Sequence, residues 1–260
     1  VGSMVPVIGS ITSAQLLEHF GWPAVFLFMA VVAAILAVLF WHYIDETLET
    51  KNMSAMRFIP MVQNYISILS HKQFLSYVGI TIGNSIGLHA FLASSAAVLI
   101  GAYGLTPTIY SFWFAAVMIS NTGANYLGGR LVVRLGAGRM IFIGTVITVI
   151  SGAAILALAL MGINTTPALI VPMMAFMFAF AFLSPSSQAG ALAPFAAQAG
   201  TASSAMGIIQ GLTSAATGAA LGLLPGSTFT EMAAFVAIGS GVILVFYGVF
   251  IRRLPSSDQA

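Results

Sequence analysis

The stretch "GNSIGLH", residues 83–89, carries a hydroxyl and an imidazole four positions apart. On a helix this spacing places Ser85 and His89 on one face, with Asn84 beside them. Histidine exchanges a proton near neutral pH, so one hypothesis is that His89 relays protons or contacts a polar substrate. The alternative is a neutral histidine that forms a hydrogen bond to a neighbouring helix. The residues alone leave both open.

The same stretch also fits G-x-S-x-G, the pattern around the serine nucleophile of many hydrolases. That chemistry needs the serine on a strand-to-helix turn, with a histidine and an acid as partners. Ser85 lies within an apolar run, and no Asp or Glu occurs between Glu49 and Glu231. We therefore predict that the protein is not an enzyme.

Charged residues are rare and confined to a few places. They make up 5% of the 260 residues, whereas about a quarter of a soluble domain is charged. None lies between Lys72 and Arg130, or between Arg139 and Glu231. Each gap accommodates two or three helices of about 20 apolar residues. The composition predicts an all-α polytopic membrane protein in contact with the lipid bilayer.

Turns rich in Gly, Pro and Asn divide the chain into seven full spans and one partial span. The predicted spans are 1–17 (partial), 22–43, 74–100, 108–129, 140–161, 167–190, 201–224 and 229–251. A further helix over 60–70, with Val62, Ile66 and Leu69 on one face, is predicted to lie on the membrane surface. The corresponding domains are 1–44, the end of one bundle; 45–73, a cytoplasmic linker; 74–251, a six-helix bundle; and 252–260, a cytoplasmic tail.

Alternating spans place all eight basic residues on one side of the membrane. The positive-inside rule identifies that side as cytoplasmic. Three of the arginines lie in "GGRLVVRLGAGRM", which we interpret as a short cytoplasmic hairpin between two spans. Binding to anionic lipid head groups is sufficient to explain them. The net charge of +2 gives no indication of nucleic-acid binding, and the lack of cysteine excludes a Cys-based metal site.

Other polar or small residues within the spans are further candidates. Asn125, Gln188 and Gln210 are predicted to line a cavity, as are Asn84, Ser85 and His89. Pro185 interrupts the helical hydrogen bonds of "LSPSSQAG", so residues 184–188 are either a gating bend or a static kink. Part of "MMAFMFAFAF" is expected to form a soft surface, meaning a Met-rich apolar surface that can adapt to different apolar ligands. Two glycine series are predicted to pack helices closely, 79/83/87 and 207/211/218/222.

Several of these stretches resemble the major facilitator superfamily. The hairpin is similar to its loop between the second and third helices of each half, and the matching residues are Gly129, Arg130, Arg134, Gly136 and Arg139. The resemblance implies a gating role for these arginines, because in the family they hold the cytoplasmic face closed in one transport state. Val133 stands where the family usually has Asp. "VPVIGS", through Pro6 and Gly9, resembles the antiporter motif of the fifth helix. "PSSQAGAL" and "AGTASSAMGIIQG" are similar to the tenth and eleventh helices of the Bcr/CflA subfamily of drug:proton antiporters.

The resemblance implies a truncated major facilitator bundle, running from the end of the fifth helix to the twelfth. Its implied function is proton-coupled efflux of drugs or small amphipathic molecules by alternating access. The open alternatives are metabolite uptake or exchange within the same superfamily, and a seven-helix receptor or sensor. The implied partners are a small-molecule substrate and the missing N-terminal helices of the same protein. The energy source is a proton gradient, no cofactor or metal is expected, and the expected location is a bacterial inner membrane.

Overall fold

The structure is a computed structural model that describes residues 12, 16, 19–43, 58–224 and 228–249. Within these residues the long elements are α-helices: α1 Trp22–Tyr43, α2 Phe58–Leu69, α3 Lys72–Ala96, α4 Pro107–Leu135, α5 Ala137–Leu160, α6 Thr166–Leu192, α7 Ala199–Leu223 and α8 Phe229–Val249. A π-helical turn, Ala97–Ala102, extends α3, and a 3-10 segment, Ala193–Gln198, connects α6 to α7. The predicted all-α class is confirmed.

Six of the described helices are long and apolar enough to cross a bilayer: α1, α3, α5, α6, α7 and α8. Helix α4 has 29 residues, which is sufficient length, but it is not among the six. Its polar side chains lower its mean hydropathy, and two of them form hydrogen bonds to the backbone of α6. Ser120 Oγ and Asn121 Nδ2 donate hydrogen bonds to the carbonyl oxygens of Met174 and Met177 on α6, both at 2.9 Å.

The predicted arginine hairpin is wrong in its boundaries. Helix α4 continues to Leu135 and α5 begins at Ala137, so Arg130 and Arg134 lie in the last turns of α4 and Arg139 in the first turn of α5. Only Gly136 separates the two helices, and its φ of 79° lies in the left-handed region that favours glycine. Arginine supports helix and is favourable near a helix C-terminus, so α4 does not end where its apolar sequence does.

Part of the predicted organisation lies outside the described residues. This applies to Pro6 and Gly9, to most of the partial span, to residues 45–57 of the linker and to the tail. The domain boundaries therefore stay predictions. The chain forms two compact units, residues 1–61 and residues 62–260. Helix α1 belongs to the first unit and has no buried residue.

In the second unit, α3 and α6 lie at the centre. Helix α3 packs against α6, α7 and α8, while α6 also packs against α4 and α5. One apolar cluster includes Phe91, Phe176 and Met232, and another, nearer Lys72 and the start of α5, includes Phe74 and Ile141. Met173, Phe176 and Met177 are buried in the first cluster, so most of the predicted soft surface is core packing.

Glycines allow α3 and α8 to approach closely, as the first glycine series predicts. A Cβ atom on Gly83 would lie 2.5 Å from the carbonyl oxygen of Gly239, and a Cβ on Gly239 would lie 2.5 Å from that of Gly83. Gly79 faces Phe246 and Gly87 faces Phe176. The second series is different. No described atom outside their own helical neighbourhood lies within 4 Å of a Cβ placed on Gly207, Gly211, Gly218 or Gly222.

Helix α2 has the two-sided character that its sequence predicts. Ile68 is fully buried against the second apolar cluster, and the Tyr65 hydroxyl lies 2.6 Å from Ser204 Oγ of α7. Val62, Ile66 and Leu69 are exposed on the other side. An exposed apolar stripe next to a membrane bundle is typical of a helix that lies in the bilayer interface.

Candidate functional site

A cavity of about 340 Å³ lies between α3, α6 and α7. Each helix contributes one stripe of residues at helical spacing. The lining residues are Thr81, Asn84, Ser85, Leu88 and His89 from α3, Phe180, Ser184 and Gln188 from α6, and Gly207, Gln210, Gly211 and Ser214 from α7. Hydroxyl, amide and imidazole groups dominate this wall.

The cavity brings together five of the six predicted lining residues. Asn84, Ser85, His89, Gln188 and Gln210 come from three helices that are far apart in the sequence. Thr81, Leu88 and Ser214 were not predicted, although their spacing relative to Asn84, Ser85 and Gln210 is the signal that identifies them. Gly207 and Gly211 border the cavity, so their lack of side chains provides space rather than the predicted helix contact.

His89 is held from two directions. Its Nδ1 lies 2.8 Å from the Ser85 carbonyl oxygen and 3.1 Å from Ser214 Oγ. A carbonyl oxygen only accepts hydrogen bonds, so Nδ1 carries the proton. Ser214 Oγ donates its own proton to the Gln210 carbonyl oxygen at 2.8 Å. Its lone pairs can therefore accept from His89 Nδ1–H, which forms a bifurcated hydrogen bond to Ser214 and to the Ser85 carbonyl. This geometry leaves Nε2 as the imidazole atom for a ligand or a proton.

Asn84 is the unusual member of the site. Its side chain is 2% exposed, and neither Nδ2 nor Oδ1 has a hydrogen-bond partner among the described residues. Buried amide groups are almost always paired, because an unpaired one costs about 1–3 kcal/mol. In a roomy polar cavity, water or a ligand can satisfy such a group. Asn84 is therefore a buried polar group beside the cavity that the described residues leave unpaired.

The described wall contains no Asp, Glu, Lys or Arg. The other polar groups bind locally: Gln188 Nε2 donates to Ser184 Oγ at 3.2 Å, and the hydroxyls of Thr81 and Ser187 lie 3.4 Å apart. His89 is the titratable side chain of this lining. The wall offers hydrogen bonds without a fixed charge, which suits an uncharged ligand better than an ion.

Asn125 does not share this cavity. It lines a second cavity of about 320 Å³ between α4, α5 and α6, together with Gly128, Gly129 and Pro185. Asn125 Nδ2 donates to the carbonyl oxygen of Asn121 at 2.9 Å and to its Oδ1 at 3.0 Å. Asn125 thus supports the α4–α6 contact of Asn121. Helix α6 remains a single helix through Pro185, and the non-helical residue is Phe195, beyond its end.

The arginines form an exposed basic surface at the α4–α5 turn. The guanidinium carbon of Arg130 lies 4.3 Å from the ring centroid of Tyr126, a cation–π contact one turn earlier on α4. Arg134 and Arg139 are also exposed. The structure places the residues of the resembling loop together, Gly136 at the turn and arginines on either side of it. Their gating and lipid-binding roles stay predictions.

Glu231 contributes to the start of α8 rather than to a cavity. Its Oε2 accepts a hydrogen bond from the Thr228 backbone N–H at 3.0 Å, and Thr228 Oγ1 accepts one from the Glu231 N–H at 3.3 Å. This reciprocal pair is a capping box, which satisfies two N–H groups at a helix start.

Comparison with known proteins identifies the family. The family model described as Major Facilitator Superfamily matches residues 1–218. The bicyclomycin resistance protein homolog of Haemophilus influenzae is 26% identical over 258 residues, covering 97% of this chain and 64% of that protein. Multidrug resistance protein D of Escherichia coli is 23% identical over 222 residues, covering 85% of this chain and 54% of that protein.

The chain thus spans less than two thirds of the length of these curated relatives. The similarity to a bicyclomycin resistance homolog confirms the resemblance to the Bcr/CflA type that the helix motifs indicate. The match to the family model covers most of the sequence and extends through the helices that form the polar cavity. The chain is an integral membrane protein and belongs to the major facilitator superfamily.

Proposed function

We propose that this chain is part of a secondary transporter that exports small molecules, including drugs, in exchange for protons. The observation that carries the proposal is the polar cavity lined by three membrane-spanning helices, α3, α6 and α7. Polar groups are costly inside a bilayer and usually mark a substrate or ion path. Sites near the middle of the membrane, between helical bundles, suit alternating access by rocking of the bundles.

The relatives support export as the direction of transport. Their names refer to bicyclomycin resistance and to multidrug resistance, and a cell becomes resistant when it removes the toxic compound. Both relatives come from bacteria, so we assign the protein to the bacterial inner membrane. Residues 74–251 would then form the C-terminal bundle, and residues 1–44 the end of the N-terminal one. The helices that complete the substrate path belong to the rest of the protein.

The proton path needs groups that titrate within the membrane. The six acidic residues of the chain are Glu18, Asp45, Glu46, Glu49, Glu231 and Asp258, and none lies in the middle of a predicted span. His89 is the titratable group in the described cavity wall. We assign the main coupling group to the missing helices and a supporting role in proton or substrate contact to His89.

The test is dye accumulation in efflux-deficient bacteria that express the intact parent gene. Ethidium is the cationic probe and Nile red the neutral one, each measured with and without a protonophore. We expect cells that express the transporter to accumulate less of at least one dye than cells without it. The protonophore should remove this difference. Unchanged accumulation of both dyes, with the protein present in the membrane, would reject drug export. It would then favour metabolite uptake or exchange.

A further inference from the structure

Two exposed arginines near the end of α4 lack a counter-charge in the part of the chain that the structure describes. Arg130 and Arg134 are one helical turn apart, on the same face of α4. Within the ranges 58–224 and 228–249 the acidic side chain is that of Glu231, which caps the start of α8. The helices alternate in direction, so that start lies at the opposite end of the bundle from the α4–α5 turn. An anion from outside these ranges is therefore needed to balance the two guanidinium groups.

The two arginines border an open recess of about 620 Å³ around the last turns of α4, which we call the arginine recess. Its lining residues are Leu127, Gly129, Arg130, Leu131, Val133 and Arg134. The ring of Tyr126, 4.3 Å from the guanidinium carbon of Arg130, orients that group. Leu127 and Val133 are exposed beside the charges. Basic groups next to exposed apolar side chains at the end of a membrane helix are typical of a phospholipid head-group site.

Gly129 connects the arginine recess to the second cavity, because it lines both. No described atom outside its own helical neighbourhood lies within 4 Å of a Cβ placed on Gly129. The missing side chain therefore leaves an opening between the charged recess and the cavity. Along α4 the second cavity extends from Val132 to Asn125, which is about 10 Å from the arginine end toward the middle of the helix.

The second cavity has a mainly apolar wall that is open to the surface. Val132, Met140 and Phe182 provide hydrocarbon surface from α4, α5 and α6. Pro185 and Ala189 of α6 also line it and are exposed, so the cavity is accessible from outside the bundle. A polar ligand would lose hydration against such a wall without gaining enough hydrogen bonds, whereas a hydrocarbon chain would not. Its volume of about 320 Å³ accommodates a segment of one chain.

We propose that the arginine recess and the second cavity together bind one anionic phospholipid. Arg130 and Arg134 bind the phosphate through charge-assisted hydrogen bonds, and one acyl chain passes Gly129 into the second cavity. The lipid belongs to the leaflet that the positive-inside rule identifies as cytoplasmic. This site differs from a general attraction of basic loops to membranes, because it needs a particular pair of arginines and a particular apolar cavity. It is independent of which molecule the protein transports.

Native mass spectrometry of the purified intact transporter measures the binding of single lipid molecules. The probes are phosphatidylglycerol and phosphatidylcholine with identical acyl chains. We expect one phosphatidylglycerol to bind at least about tenfold more tightly than phosphatidylcholine, because the choline group places a positive charge beside the arginines. Glycerol phosphate, which has the phosphate but no acyl chains, should not displace the bound lipid even in large excess.

Two kinds of variant test the two parts of the site. The double variant Arg130→Gln/Arg134→Gln should bring the affinities for the two lipids within about twofold of each other. Gly129→Leu keeps every charge but fills the opening, and it should weaken phosphatidylglycerol binding by at least about tenfold, because methylene groups of the chain then stay outside the cavity. No described atom obstructs the new side chain near its Cβ, so the variant should fold.

Each kind of variant has a matched control. Arg139→Gln removes one charge from the same basic surface, but Arg139 lines neither the arginine recess nor the second cavity. Gly123→Leu adds the same side chain at another open, exposed glycine of α4 that lies outside both. Both controls should keep phosphatidylglycerol affinity within about twofold of the wild type. Gel filtration checks that every variant is folded.

Three results would overturn the lipid site. Equal binding of the two lipids by the wild-type protein would reject it. An equal loss of affinity per charge in Arg139→Gln and in the double variant would indicate diffuse attraction to the basic surface instead. Unchanged binding in Gly129→Leu, or displacement of the lipid by glycerol phosphate, would indicate a phosphate site without an acyl-chain cavity.

Discussion

At the scale of single residues, the site depends on which polar groups are paired and which are not. Asn84 and His89 are five positions apart on α3, yet their surroundings differ. His89 is fixed through Nδ1 by the Ser85 carbonyl and the Ser214 hydroxyl, while both amide atoms of Asn84 lack a described partner. A paired group fixes the orientation of the site, whereas a buried unpaired group costs free energy.

The His89 contacts predict its tautomer. With Nδ1–H donated to the Ser85 carbonyl, the neutral ring should carry its proton on Nδ1 and leave Nε2 free. Nitrogen NMR of the isotopically labelled transporter measures this directly, and the signal lost in His89→Gln identifies His89. Ser214→Ala should keep the same tautomer, because the Ser85 bond remains. A ring protonated on Nε2 alone would contradict the geometry.

At the scale of helices, close approach depends on a few glycines and on buried hydrogen bonds. Helices α3 and α8 cross at Gly83 and Gly239, where a side chain on either residue would collide with the opposite backbone. Helix α4 is held to α6 by Ser120 and Asn121. Because lipid is as apolar as the bundle interior, tight packing and such hydrogen bonds drive association of membrane helices.

We expect Gly83→Ala to lower the free energy of unfolding by about 1–3 kcal/mol, the usual cost of overpacking a well-packed contact. The added Cβ would lie 2.5 Å from the Gly239 carbonyl oxygen. Gly241→Ala on α8 is the control, since no described atom outside its own helical neighbourhood lies within 4 Å of its Cβ position. It should be neutral or slightly stabilising. Unfolding of the intact transporter in mixed micelles measures both, and equal stabilities would reject the tight crossing.

At the scale of the whole molecule, charge determines orientation. Every Lys and Arg falls on one predicted side of the membrane. The described helices agree with this alternation, because α4 ends and α5 begins beside the arginines, whereas the α5–α6 connection near Asn164 has no charged residue. The positive-inside rule predicts which of these two ends faces the cytoplasm.

Cysteine labelling tests the orientation without background, because the chain has no cysteine. Val133→Cys, at a position that is 85% exposed, should react with a membrane-impermeant maleimide only in inside-out vesicles. Asn164→Cys, also exposed, should react with the same maleimide in spheroplasts, where the outer face of the membrane is accessible. The two variants serve as controls for each other. The opposite pattern would reverse the assigned topology.

Proton coupling is also a property of the whole molecule. We expect the 260-residue chain alone, reconstituted in liposomes with a pH gradient, to export neither ethidium nor Nile red. The chain has no carboxylate in the middle of a predicted span, and its relatives are longer. The intact transporter in matched liposomes is the positive control, and circular dichroism checks that the chain stays helical. Gradient-driven export by the chain alone would contradict this.

The sequence by itself determined the fold class, most helix boundaries and the family. Long apolar segments must be helical in lipid, and turn residues interrupt them, so these features follow from local chemistry. The helical spacing of Ser85 and His89 also placed them correctly on one face. The end of α4 was missed, because arginine stops an apolar segment without stopping a helix.

Only the tertiary structure decided which polar residues meet. Asn84, Gln188 and Gln210 share a cavity while Asn125 lies in another, although all four are polar residues in predicted spans. Likewise, Gly79 and Gly83 of α3 pack against α8, whereas Gly207 and Gly211 border the cavity. The physical reason is that each helix has several faces, and the sequence of one helix does not determine which neighbouring helix packs against each face. Packing of the bundle assigns partners to the faces, and among the residues that the structure describes it leaves the Asn84 amide without one.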